Sequence, residues 1–165
     1  MRIGIISDTH GVVHPRIADV FANVDAIIHS GDVGGDHVLD ALRRIAPVTF
    51  VRGNNDDADG TDVVRATFGG VRFLITHILP RPSKLGTHVA RSLARERADV
   101  VVFGHSHLPH DEVVGGIRFF NPASAGPRRF DYPTSVGLFD GKRFTHVALD
   151  DRSVAAVKKR INQMR

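Results

Sequence analysis

Cysteine and tryptophan are both missing from this 165-residue chain. Without cysteine there is no disulfide, no thiolate metal site and no cysteine nucleophile, a composition that fits the cytoplasm. With no tryptophan and an aromatic content of 7%, aliphatic side chains must build most of the core. No apolar stretch approaches the roughly 20 residues a membrane span needs. The opening MRIGIISD turns polar too early for a signal peptide. Charge of one sign is not concentrated either. The formal charge of +4 is scattered and carried largely by arginine. Its densest run, Lys158 to Arg160, is expected on the solvated face of a terminal helix. A basic balance suits phosphorylated ligands and nucleic acid alike, and identifies no partner.

With 42% apolar and 24% charged residues, the chain reads as one globular domain over residues 1–165. It shows no repeat, linker or low-complexity segment. The first half alternates short β runs with helical stretches, which places it in the α/β class. Strands are expected over Arg2 to Ser7, Ala26 to His29, Val48 to Val51, Val71 to Thr76 and Val100 to Phe103. Helices are expected over Pro15 to Asn23, Asp36 to Ile45 and Ser83 to Arg95. The later β runs, Glu112 to Val114, Ile117 to Phe120, Ser135 to Asp140 and Arg143 to Leu149, are separated by Gly-Gly and Asp-Gly turns that favour hairpins. Two packed mixed sheets flanked by helices, a four-layer α/β/β/α sandwich, accommodate both patterns.

The strand ends carry the chemistry. Five apolar runs stop abruptly at His, Asp or Asn: IGIIS-DTH, AIIHS-GD, VTFVR-GNND, VRFLIT-H and VVVF-GHSH. In α/β sheets, ligands collect beyond the carboxyl ends of strands, so these five ends point to one site. Asp8 and His10 are two apart, as are His105 and His107, and in extended backbone such pairs face the same way. Gly31, Gly53 and Gly104 let the chain turn without a side chain in the way. Carboxylate, amide oxygen and imidazole together suit manganese, iron, nickel, cobalt or zinc. Each motif alone has an ordinary reading, as a helix cap, an Asx turn or a hydrogen-bonded histidine. Five in series after five strands do not.

The series DTHG, SGD, GNND, TH and GHSH resembles the calcineurin-like metallophosphoesterase superfamily, and within it the small single-domain phosphodiesterases of bacteria and archaea. The later NPAS at Asn121 to Ser124 also matches. The resemblance implies the four-layer sandwich and two divalent ions, manganese foremost. It implies that Asp8, His10, Asp32 and His107 hold one ion, and Asp32, Asn54, His77 and His105 the other, with Asp32 bridging. It further implies hydrolysis of a small phosphoester by a metal-bridging hydroxide that attacks phosphorus, with Asp32 and Asn54 in the catalytic set.

Two departures bear on the substrate. Many members place His after the metal-binding Asn; here the position is Asn55. Loss of a general acid costs about 10²- to 10⁴-fold, so esters with poor leaving groups suffer and activated diesters suffer less. Asn55 is therefore a catalytic and substrate-binding candidate, and its presence favours the phosphodiesterase subgroup. Secondly, Ile78 follows His77 where relatives have Gly, which implies a rearranged loop over Leu79 to Lys84. Asp56 is expected to orient a ligand or cap its loop beside the catalytic residues, while Asp57 and Asp59 solvate that loop. Ser124, Arg128 and Arg129 are candidate phosphate contacts. His29, inside an apolar strand, is expected in the core or behind a ligand. A homo-oligomer is compatible with all of this. Two other readings stay open: a non-catalytic metal-binding scaffold of the same fold, and a nuclease using the basic surface.

Overall fold

A computed structural model describes residues 1–57, 60–79, 87–129 and 131–150. The expected segments at Lys158 to Arg160, Asp59 and the loop beyond Leu79 to Gly86 lie outside the described residues. The ten strands are β1 (Ile3–Ile6), β2 (Ala26–His29), β3 (Val48–Phe50), β4 (Val63–Phe68), β5 (Val71–Thr76), β6 (Val100–Val102), β7 (Pro109–Val114), β8 (Ile117–Pro122), β9 (Ser135–Phe139) and β10 (Phe144–Ala148). The helices are α1 (Ile17–Val20), α2 (Asp36–Arg43) and α3 (Thr87–Arg95).

The strands form two five-stranded mixed sheets, ordered β10-β9-β1-β2-β3 and β4-β5-β6-β8-β7. Strands β1, β2 and β3 run parallel, and β9 joins β1 antiparallel. The last hairpin therefore returns to the first sheet, closing it after the chain has built the second.

Three separate apolar clusters prove the four layers. Side chains alternate across a strand with period two. Accordingly, Ile3, Ile5, Ile28, Phe73, Ile75, Val100, Val102 and Phe120 meet between the sheets. Ile6 and Ile27 turn the other way, towards Ile17, Phe21, Val38, Leu39 and Leu42 of the α1–α2 layer. Leu74, Val101 and Phe119 pack outward with Val89 and Leu93 of α3. The sandwich expected from the sequence is the observed architecture.

Local differences have local causes. Helix α1 is a single turn rather than the nine residues expected. No side chain caps it, and the chain then breaks so that Phe21 can lie on Gly4, where even a Cβ would come within 2.9 Å of the ring. Strand β4 was not expected. It pairs with β5 across Gly69-Gly70, both at positive φ, the same Gly-Gly turn signal that marks the β7–β8 hairpin.

Candidate metal centre

The carboxyl ends of the parallel strands of both sheets bring the expected ligands together. Asp8 and His10 follow β1, Asp32 follows β2, Asn54 follows β3, His77 follows β5, and His105 and His107 follow β6. Asp8, His10 and His107 offer ligand atoms within 4.8 Å of one another, as do Asp8, Asp32 and His77. His107 Nε2 lies 3.2 Å from Asp8 Oδ1 and 3.3 Å from His10 Nε2. His77 Nε2 lies 3.4 Å from Asp32 Oδ2. Asn54 Oδ1 sits 3.1 Å from His77 Nε2 and 2.8 Å from His105 Nδ1. Asp8, Asp32, His77 and His107 are buried, whereas Asn54 and His105 are exposed, so the cluster opens to solvent on their side.

The pairs converge by a route the sequence did not suggest. Asp8, His10, Asp32, His105 and His107 all have φ between 47° and 67°, a left-handed rather than an extended backbone. For non-glycine residues that conformation costs about 1–2 kcal/mol each, and it persists only when the surroundings over-determine it. Here they do. Asp8, His10 and Gly11 donate their N–H groups to Gly31, Asp32 and Val33, at 2.8 to 3.0 Å, lacing two ligand loops together. The N–H of His105 donates to Asp8 Oδ2 at 3.1 Å. Gly53 and Gly104 serve by close approach: a Cβ on Gly53 would fall 2.0 Å from Asp32 Oδ1, and one on Gly104 2.0 Å from Ser7 Oγ and 2.8 Å from Asp8 Oδ2.

Behind the ligands, hydrogen bonds set the imidazoles. His77 Nδ1 lies 2.8 Å from the Ser30 carbonyl, which only accepts, so Nδ1 donates there and the ring is held with Nε2 towards the cluster. His29 is wholly buried. Its Nδ1 accepts from Gly31 N–H, so Nε2–H donates to Thr9 Oγ1, which donates in turn to the Val33 carbonyl. Burial holds His29 neutral, with its pKa pushed down to about 4. Burial also opposes ionisation of Asp8 and Asp32. The imidazole of His107 beside Asp8, and that of His77 with the two donors of Asn55 beside Asp32, override it and leave both carboxyls below their usual range. His10 is lowered, first by burial and, against Asp32 and Asp8, also by the charges of His107 and Arg129. His77 is raised: burial works against protonation, but Asp32, Asp8 and the Ser30 carbonyl prevail.

The remaining candidates divide. Asn55 donates its N–H to Asp32 Oδ1 at 2.9 Å and its side-chain amide to Asp32 Oδ2 at 2.7 Å, so both donors orient that carboxylate. Asp56 touches no ligand; it accepts from Val33 N–H at 3.1 Å, Gly34 N–H at 3.0 Å and Gly53 N–H at 2.7 Å, pinning the Asn54 loop to the Asp32 loop. Ser124 is buried and donates to the Asp8 carbonyl. Arg128 lies 3.9 Å from Asp150, and Arg129 is the arginine whose charge reaches His10.

The sequence marks Asn121 to Ser124 as a family match and Ser124 as a candidate phosphate contact; in the structure residues 121–126 instead bridge the two sheets at the centre. Asn121, wholly buried, donates to the Gly104 carbonyl and Ser106 Oγ. Ser124, Ala125 and Gly126 bind the main-chain oxygens of Asp8 and Ser7. One strap thus holds the His105–His107 loop against the Asp8 loop. Most of these partners are main-chain atoms, which leave no trace in a sequence.

The donor set fits cations. Carboxylate and amide oxygens and imidazole nitrogens converge, and the buried Asp8 Oδ1 takes no hydrogen bond among the described residues. Residues 1–143 match the family model for the calcineurin-like phosphoesterase superfamily domain. The chain belongs to this superfamily. A probable metallophosphoesterase of Methanothermobacter thermautotrophicus is 32% identical over 155 residues, covering 87% of this chain and 88% of the relative. The structure of YfcE, a phosphoesterase from Escherichia coli, aligns with a TM-score of 0.71 at 27% identity, covering 93% of this chain and 96% of that one. Vps29 of Chaetomium thermophilum shares the fold, with a TM-score of 0.73 at 19% identity over 88% of this chain and 85% of the other. Membership of the superfamily implies divalent ions, and the residues present suit them. Among the described residues no helix is long and apolar enough to cross a membrane.

Proposed function

We propose that this chain is a phosphodiesterase working with two divalent ions, manganese foremost among manganese, nickel, iron, cobalt and zinc. The observation that carries the reading is the pair of overlapping ligand groups sharing Asp8, one with His10 and His107 and the other with Asp32 and His77. On the pattern of the superfamily, with Asn54 and His105 at the open side, Asp8, His10, Asp32 and His107 would hold one ion. Asp32, Asn54, His77 and His105 would hold the other. Two ions so placed supply a water nucleophile near neutral pH and neutralise the phosphoryl oxygens.

The chain's own part is positional. Asn55 spends its main-chain N–H and one side-chain N–H on the two oxygens of Asp32, so it orients that carboxylate rather than supplying a proton. No imidazole follows Asn54 to protonate a departing alkoxide. That favours diesters whose leaving group departs as a stable anion over alkyl monoesters.

The test is to strip the protein of metal, restore each ion in turn, and compare bis(p-nitrophenyl) phosphate with p-nitrophenyl phosphate. Metal-dependent hydrolysis that favours the diester is expected, and His105→Ala or Asp8→Asn should abolish it. Inactivity with every ion would leave a metal-binding scaffold as the reading, and equal turnover of the two esters would refute the inference from Asn55.

A further inference from the structure

A recess of about 390 Å³ adjoins the ligand loops, between the start of α2 and the loop that follows β3. Its volume lies in the range of small-molecule sites. Asn55 forms the shared wall: it lines the recess, and its amide is 2.7 Å from Asp32 Oδ2. A phosphoester centred on the ligand cluster would therefore extend a substituent towards this opening.

The charge of the lining runs against that of the chain. The whole sequence carries +4, yet Asp36, Asp56 and Asp57 line the recess beside one cation, Arg52. Arg52 is already answered by Asp62, at 2.6 Å. Both oxygens of Asp56 accept main-chain N–H groups, and Asp36 lies in the first turn of α2, where the helix end tempers its charge. Asp57 has neither hydrogen bond nor ion pair among the described residues, and it is exposed. The same recess has an aromatic surface, for Phe50 lines it and is 37% exposed. An uncompensated carboxylate and an accessible ring lining one recess are the chemistry that holds an organic cation. It repels a second phosphate, which counts against a polynucleotide in this recess.

We infer that the recess receives the substituent retained on phosphorus, and that it selects an ammonium-bearing alcohol over a neutral one. The inference rests on the phosphodiesterase reading and names the substrate class within it. Three activated diesters share the p-nitrophenolate leaving group: p-nitrophenyl phosphorylcholine, the p-nitrophenyl ester of thymidine 5′-monophosphate, and bis(p-nitrophenyl) phosphate. Comparing wild type with variant for each ester cancels their different intrinsic reactivity. In the metal-loaded enzyme, Asp57→Asn and Phe50→Leu should each lower kcat/KM for the choline ester about tenfold, through KM, and lower it much less for the two esters that carry no ammonium group. Equal losses on all three esters, or none on the choline ester, would overturn the assignment. Calorimetric titration with phosphocholine decides the same question without turnover: weaker binding to Asp57→Asn than to wild type supports the recess, and equal binding refutes it. Failure to hydrolyse any of the three esters would fall on the phosphodiesterase reading, while the titration still judges the recess.

Discussion

Replacing Asp56 with alanine would remove one carboxylate and leave three main-chain N–H groups, of Val33, Gly34 and Gly53, without their acceptor. Hydrogen bonds to a charged group contribute about 1.5–3 kcal/mol each. The three share one acceptor in a half-buried position where water replaces part of the loss, so the expected cost is about 3 kcal/mol rather than the full sum. In a chain of this length that corresponds to a fall in Tm of about 6–12 °C. Asp56→Asn keeps one accepting oxygen but turns an NH2 group towards N–H donors, and should lie between. Because Asp56 ties the Asn54 loop to the Asp32 loop, both variants should also bind manganese about 10- to 100-fold more weakly, although Asp56 touches no ligand atom. Thermal unfolding in chelator gives the first quantity and calorimetric titration with manganese the second. An Asp56→Ala protein that melts with wild type in chelator would refute the tether. So would an Asp56→Asn protein of unchanged Tm and metal affinity that loses kcat with an altered pH profile, since that behaviour belongs to a proton-transferring residue.

Gly104→Ala places a Cβ 2.0 Å from Ser7 Oγ; an overpacking cost of about 1–3 kcal/mol in chelator and loss of metal-induced stabilisation are expected, both read by thermal unfolding. Asp8→Asn should abolish the rise in Tm on adding manganese, and should not destabilise the metal-free protein as much as burial alone implies, because Asp8 Oδ1 has no hydrogen-bond donor to lose. Ser124→Ala removes the hydroxyl that donates to the Asp8 carbonyl and should cost about 1 kcal/mol, with weaker manganese binding by calorimetry. The pH dependence of stability tests His29. Its pKa is pushed down to about 4 in the folded chain, so between that value and the ordinary 6.5 the unfolded chain binds the extra proton. The contribution is complete above 6.5 and is lost as pH falls towards 4, by about 3 kcal/mol at 1.36 kcal/mol per pKa unit. Urea unfolding in chelator at pH 7.5 and 4.5 should show His29→Gln with a correspondingly shallower decline, and identical declines would refute the buried neutral imidazole.

Much of the centre was legible because ligand chemistry resides in side chains. Asp8, His10, Asp32, Asn54, His77, His105 and His107 stand out as polar residues that follow apolar strands. The layers were legible for a similar reason: the period-two alternation of Ile3, Ile5 and Ile6, or of Phe73, Leu74 and Ile75, marks two covered faces. Strand β4 has its Gly-Gly turn as a signal, but a mostly half-buried edge strand carries a weaker apolar pattern than the central strands.

What the sequence determined by itself, then, was the inventory: which side chains are candidate ligands, which strands they end, and that no thiol is among them. Tertiary structure decided how they meet. The left-handed backbone at five of the seven candidate ligands is a conformation those residues do not prefer, so no local propensity foretells it. It exists because hydrogen bonds from distant loops hold it. The roles of Asn55, Asp56 and Ser124 were decided in the same way: each carries a side chain suited to catalysis, yet its neighbours place it on a carboxylate or a main-chain group. Long-range main-chain contacts of that kind depend on the packing of two sheets whose strands are far apart in the chain, and they have no expression in the order of the residues.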